Sequence, residues 1–252
     1  MKNAGTASGN TAGNGTGNTA LTFRYFDVAM AAFVVILVLS NIASSAKIVD
    51  TGFSIFAVPL AFDGGTLLFP FAYVLGDVLT EVYGFRASRR AIWTGFAILA
   101  FSALFFFVLQ ALPGEAGWEA RAGSDAYRAI LGGISSGGIV LASLAGYLVG
   151  SFSNSILLSR IKILMKGRMF WTRAMASTLV GQLLDSFVFV SVATLAGVFP
   201  AHLFLSLVLT NYIIKCVIEA ASLPGTSALV RLLKKREGVD VYDVGVKYRP
   251  FG

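Results

Sequence analysis

GDVLTEVYG, residues 76–84, closes a long apolar run and sets two carboxylates, Asp77 and Glu81, four residues apart on a helix that otherwise suits lipid. An Asp at the centre of a membrane helix costs about 2.5–3.5 kcal/mol on insertion scales, so the pair needs a reason. The composition makes the membrane setting firm. Of 252 residues, 56% are hydrophobic and 13% charged, with mean hydropathy +0.76; soluble domains carry about 25% charged residues. The expected fold is an all-α polytopic membrane protein in one compact domain, with the lipid bilayer around it. Cys216, the single cysteine, can form no intrachain disulfide and reads as a core residue.

Outward from this stretch, six membrane-length segments are expected, roughly 26–48, 65–84, 90–112, 130–159, 172–198 and 203–232. Between the first two, TGFSIFAVPLAFDGG is too short in its apolar part to span and is broken by Pro59 and Gly64–Gly65, which predicts a hairpin or re-entrant segment. Residues 1–20 form a Gly/Asn/Thr/Ala low-complexity tail expected to be disordered, 21–236 the transmembrane domain, and 237–252 a C-terminal tail. Lys and Arg concentrate in three places: Arg86, Arg89 and Arg90; Arg160, Lys162, Lys166, Arg168 and Arg173; and Arg231, Lys234, Lys235 and Arg236. The intervening links are acid-balanced or carry neither residue. The positive-inside rule then puts both termini in the cytoplasm, in keeping with an even helix count. The net charge of +7 is thereby a topology signal, and no nucleic-acid partner is expected.

Three short matches recur in the same order: SNIASSAKI (40–48) with SNSILLSRI (153–161), GDVLTE (76–81) with GQLLDS (181–186), and LPG at 112–114 with LPG at 223–225. They fit a 3+3 inverted repeat, an architecture that puts a transport site near the midplane between halves.

Intramembrane polar residues form stripes at helical spacing. Tyr73, Asp77, Thr80, Glu81 and Gly84 share one face; Thr178, Gly181, Gln182 and Asp185 another; Asn211, Lys215, Glu219 and Ser222 a third. Tyr73, Asp77, Thr80, Glu81, Gln182, Asp185, Lys215 and Glu219 from these stripes, with Asn41, Asn154 and Lys47, make the candidate substrate-binding set. The structural reading is that Lys215 and Glu219 form an i,i+4 ion pair, Asp185 bonds Lys47 or a neighbouring helix, and Glu81, near the basic rim, partners Arg86 or Arg89. As a set, three polar stripes covering one another favour a wet cavity for a neutral or zwitterionic polar solute. Nearby aromatics (Phe69, Phe71, Tyr73, Phe187, Tyr212) could stack on a planar ring. A carboxylate can accept the paired N–H donors of a guanine-like base.

FPFAYVLGDVLTEVYGFRASRRAIWTG (69–95), with its Asp-x-x-Thr-Glu-x-Tyr-Gly core, resembles the signature of the queuosine precursor transporter (VUT, YhhQ-like) family. The resemblance extends over roughly 25–252, through Ser40–Asn41, Lys47, WTRAMASTLVGQLLDSFVF (171–189), Tyr212, Lys215 and EGVDVYD (237–243). It implies a six-helix inner-membrane importer of 7-deazaguanines, preQ0 and preQ1, which feed queuosine modification of tRNA. Asp77, Glu81 or Asp185 would take the guanine-edge donors, Gln182, Asn41 and Asn154 the remaining base atoms, and Lys47 and Lys215 would neutralise idle acids. Asp77, one turn deeper than Glu81, is the first choice for substrate contact. An enzyme is not expected: His202 is the only histidine, and no nucleophile, metal or cofactor motif accompanies it. The rival is the substrate-binding membrane component of a multi-subunit, ATPase-driven vitamin-type importer. Oligomeric state is not legible, and a homodimer is compatible with the chain.

Overall fold

The computed structural model describes residues 23–55, 58–135, 137–197 and 200–251; the stretch 1–20 lies outside the described residues. Its helices are α1 (Phe26–Ala46), α2 (Phe69–Tyr83), α3 (Phe85–Ala111), α4 (Ala116–Arg121), α5 (Gly123–Ser135), α6 (Gly137–Leu164), α7 (Phe170–Leu195) and α8 (Phe204–Glu237). Between α1 and α2, strands β1 (Ile48–Ile55) and β2 (Val58–Asp63) pair antiparallel, with Ile48 opposite Asp63 and Ile55 opposite Val58. That segment is therefore a hairpin and not a seventh helix.

Among the described residues, five helical stretches are long and apolar enough to cross a membrane: Phe26–Ala46, Phe85–Ala111, Gly123–Leu164, Phe170–Leu195 and Leu207–Glu237. The expected segment 65–84 differs. Its helical part, α2, has 15 residues, about 22 Å at 1.5 Å per residue, against a hydrocarbon core of about 30 Å. The residues before it make a 3-10 turn, Gly64–Leu67, and Pro70 opens the helix. A short helix is tolerated because α1, α3, α6 and α8 wrap it. Every side chain from Asp77 to Tyr83 is buried, so α2 meets protein where the other helices meet lipid. The opposite case is α3, whose Phe101, Leu104, Phe105 and Val108 are exposed as a lipid-facing surface should be. The apolar core gathers around α2, with Leu37, Val78, Leu79, Val82, Phe85 and Tyr147 in contact. Pro224 sits inside α8 without ending it; nearby, Ser222 and Thr226 hydroxyls donate to the carbonyls of Ile218 and Ser222.

Close approach of α6 and α7 depends on glycine. A Cβ at Gly150 would lie 2.6 Å from Asp185 Cβ, and one at Gly181 would lie 2.8 Å from Asn154 Cβ. Small residues at these positions let the two backbones meet and bring the polar stripe of α7 beside Asn154.

The start of α1 and the ends of α2 and α8 are tied together by Glu237. It accepts from the backbone N–H groups of Arg24 (2.9 Å) and Tyr25 (2.6 Å) and from Tyr83 Oη (2.9 Å). The C-terminal segment then folds back over this basic end. Asp243, buried, accepts from the first N–H of α3, Phe85 (2.8 Å), and from Ser159 Oγ (2.6 Å). Further along, Trp93 Nε1 donates to Pro250 O (2.8 Å), and Arg160 lies over the Tyr248 ring. Gly84 makes this docking sterically feasible: at φ 83° it turns α2 into α3, and a Cβ there would lie 2.7 Å from Val241 Cγ1 and 2.9 Å from Asp243 Oδ1. Gly84→Ala should cost about 1–3 kcal/mol of backbone strain and loosen the tail. Limited proteolysis should then cleave within 238–251 faster than in the unmodified protein; equal protection would contradict the docking.

Candidate functional site

Asp77, near the middle of α2, is 1% exposed and accepts from Asn154 Nδ2 at 2.6 Å. Glu219 of α8, 2% exposed, accepts from Thr178 Oγ1 (2.6 Å) and Gln182 Nε2 (2.8 Å). These donors are neutral, and among the described residues no Lys, Arg or His nitrogen reaches either carboxylate within 4.0 Å. The amide oxygens Asn154 Oδ1 and Gln182 Oε1 are buried with no donor among the described residues. Native interiors satisfy most such atoms. Around Asp77 and Glu219, acceptor capacity is therefore left over on two carboxyl groups and two amide oxygens, which suits a ligand that offers N–H groups.

One level toward the far end, Lys215 pairs with Asp185 and lies 5.4 Å from the Phe69 ring centroid. Tyr73 is buried beside Gly150, where an added Cβ would lie 3.0 Å from its hydroxyl. A cavity of about 20 Å³ remains here, lined in part by Phe33, Leu37, Tyr73, Gly76, Tyr147 and Asn154. That is room for about one water. That space is too small for a bicyclic base.

One turn nearer the basic end, hydroxyls of Thr80, Ser88 and Ser155 form a triangle joining α2, α3 and α6. Thr80 Oγ1 lies 2.9 Å from Ser88 Oγ and 3.0 Å from Ser155 Oγ, and the two serines are 2.8 Å apart. Below it, Glu81 is fully buried. Arg173 grips it through Nη1 (2.6 Å to Oε2) and Nη2 (3.2 Å to Oε1), and Lys234 Nζ lies 2.5 Å from Oε1. Lys162 donates to the Glu81 carbonyl (2.6 Å), to Asp240 (2.5 Å) and to Val241 O (2.7 Å). Asp240 also meets Lys234 at 2.9 Å, which joins the C-terminal tail to the bundle.

The Asp240 pairing has a definite pH signature. Burial alone would raise this carboxyl, but Lys162 and Lys234 outweigh it and hold it below the ordinary 3.8. A depressed folded-state pKa contributes stability that is fully present above the ordinary value and is lost as pH falls through the folded one. Tail docking should thus be insensitive to pH from 7 to about 5 and loosen only in stronger acid, below about 4. Proteolytic accessibility of 238–251 across that range checks this, and release between pH 7 and 5 would contradict it.

Several expectations are corrected. Glu81 partners neither Arg86 nor Arg89; its partners arrive from α6, α7 and α8, and Arg86 is exposed. Lys215 turns to Asp185, and Glu219 to hydroxyl and amide donors, so the two make no i,i+4 ion pair. Asn41 donates back to Leu37 O of its own helix, and Lys47 is exposed where α1 passes to the hairpin; neither joins the centre. Phe71 and Phe187 are each 50% exposed, facing away from it. Thr80 is engaged by hydroxyls and the Gly76 carbonyl. Tyr73, Asp77, Asn154, Gln182, Asp185, Lys215 and Glu219 gather in the bundle interior. Arg173 was read only as a topology signal. It is fully buried, because three residues into an apolar helix its inward azimuth faces Glu81.

A bundle of membrane-length helices that shields an acceptor-rich polar centre from lipid defines a polytopic membrane transporter. Buried charge of this extent exceeds what helix packing needs. The chain belongs to the family described as "Putative vitamin uptake transporter", which matches residues 63–229. Membership makes it a transporter and not an enzyme. It is 29% identical over 174 residues to a "Probable queuosine precursor transporter" of Bacillus subtilis (strain 168), covering 69% of this chain and 73% of the relative. It is 25% identical over 175 residues to the "Queuosine precursor transporter" of Escherichia coli (strain K12), covering 68% and 74%. A Haemophilus influenzae "Probable queuosine precursor transporter" is 29% identical over 133 residues, covering 51% and 50%. No solved structure matches the chain.

Proposed function

We propose that this protein imports queuosine precursors, 7-deazaguanine bases such as preQ0 and preQ1, across the cell (inner) membrane. The observation that carries the reading is the spare acceptor capacity around Asp77: two buried carboxyl groups and two amide oxygens with no donor among the described residues. A guanine-type edge supplies what is missing, because N1–H and the exocyclic amine are parallel donors that match a carboxylate. Asp77 takes that edge, Asn154 and Gln182 address the remaining polar atoms, and Tyr73 stacks on the ring. Asp185 and Lys215 neutralise one another beside it. The names of the relatives support the substrate class.

Six crossings are proposed, with α2 as the short second one and both termini cytoplasmic at the basic end. The shared Glu237 contacts between the start of α1 and the end of α8 support this parity. Transport proceeds by rocking of one three-helix half against the other, alternately exposing the centre. The cavity of about 20 Å³ must widen for a bicyclic base to enter. On the cytoplasmic side the Glu81 ion cluster is the gate. The polar centre is complete within one chain, so a homodimer is not required for it.

The test is uptake of preQ0, preQ1, queuine and guanine by cells lacking queuosine synthesis, read as queuosine in tRNA. Expression of this chain should restore modification from 7-deazaguanines at low external concentration. Failure with all of them would overturn the reading.

A further inference from the structure

Beside the Glu81 cluster, a cavity of about 320 Å³ lies between the start of α7 and the last turns of α8, outside the polar centre. Its lining includes Glu81, Arg173, Arg231, Lys234, Ser227 and Trp171. Among the described residues, the charges around it do not balance. Glu81 and Asp240 are met by Arg173, Lys162 and Lys234, an excess of one cation, and Arg231 adds another. Fully buried Arg173 supplies field, since its guanidinium is taken up by Glu81 and the carbonyls of Arg168 and Gly167. Contact donors remain. Lys234 Nζ uses two of its three N–H groups on Glu81 and Asp240, Arg231 is exposed, and Ser227 carries a hydroxyl. An unbalanced cationic cavity calls for an anion, and a fork of guanidinium, ammonium and hydroxyl fits a phosphodiester.

The geometry points to a binding site for the phosphate headgroup of an anionic phospholipid, in the leaflet on the basic side, between α7 and α8. A lipid is favoured over a free phosphate because the flanks are apolar and exposed. Trp171 is 59% exposed, Met169 57%, Leu164 82% and Leu232 47%, so an acyl chain has a surface beside the headgroup. An exposed Trp at the basic end of a membrane helix is the usual marker of the interface level, where basic pockets between helices take anionic headgroups. The phosphate lies against the Lys234 ammonium that also holds Glu81, so its binding stabilises the same cluster.

Native mass spectrometry of the full chain, purified in detergent and supplied with phosphatidylglycerol, phosphatidylcholine or inorganic phosphate, tests this. The expected result is one retained phosphatidylglycerol, held at least tenfold more tightly than phosphatidylcholine. Inorganic phosphate alone should not bind at millimolar concentration. Arg231→Ala, an exposed change that leaves the buried cluster in place, should weaken phosphatidylglycerol by about tenfold, the loss of one charge-assisted bond. Arg128→Ala, with its surface pair to Asp125 elsewhere, should not. Equal retention of both lipids, or undiminished binding by Arg231→Ala, would overturn the site. Phosphate binding as tightly as phosphatidylglycerol would overturn the choice of a lipid.

Discussion

Glu81→Gln should be the most damaging conservative substitution in this chain. The side chain keeps its size, but three cations then surround a neutral amide, with only Asp240 left to answer them. Removing one member of a buried ion cluster costs about 3–5 kcal/mol, because the partners stay desolvated and unpaired. The expected readout is a fall in apparent melting temperature on the order of 10 °C, with low yield of folded protein in the membrane. Combining Glu81→Gln with Arg173→Gln should return part of the loss, since one stranded cation is removed with the anion. A melting temperature unchanged within about 2 °C would show that the cluster contributes little. The same substitution opens the proposed cytoplasmic gate, so folded protein recovered from it should leak base in both directions.

Asp77→Asn should have the opposite profile: little effect on folding and nearly complete loss of uptake. An amide at position 77 can still turn its oxygen toward Asn154 Nδ2, which bonds Asp77 at 2.6 Å. No cation is stranded, because none lies within 4.0 Å among the described residues. What is lost is a pair of oxygens for two parallel donors, because with its oxygen turned to Asn154 the amide presents N–H groups to the base. Leaving a buried donor unsatisfied costs about 1–3 kcal/mol, so preQ0 uptake should fall about 100-fold while insertion and melting temperature hold. Wild-type uptake by correctly inserted Asp77→Asn protein would remove Asp77 from the site.

The contrast between these carboxylates marks what was legible in the sequence. That Asp77, Asn154, Gln182 and Glu219 turn inward follows from helical spacing and from the cost of polar groups in lipid, and they do meet. Partner choice does not follow from spacing. Lys215 has Glu219 four residues away on its own helix, yet reaches across to Asp185, because α7 and α8 pack closely enough for the interhelical partner to compete. Asn41 and Lys47 lie in a motif that echoes residues 153–161, but α1 ends at Ala46 and the chain leaves as a hairpin, which carries Lys47 away. Arg173 was hidden by its neighbours: among basic residues of a link, one buried guanidinium has no separate signal. The tail residues Asp240 and Asp243 were hidden for a related reason. A short acidic stretch after a basic run reads as solvated until its docking surface, the Gly84 turn and Ser159, is known. The 65–84 segment holds a helix of only 15 residues, Phe69–Tyr83, after a 3-10 turn; hydropathy does not register that difference because it reads a stretch shielded by protein and one facing lipid alike.

Whether this chain alone moves a 7-deazaguanine through a centre built on Asp77 is decided by counterflow exchange of radiolabelled preQ0 in liposomes holding only the purified protein, with Asp77→Asn in parallel. The expected result is saturable exchange without ATP or any partner protein, reduced about 100-fold by the substitution. Exchange that requires an added ATPase component, or that proceeds equally well with Asn at position 77, would contradict it.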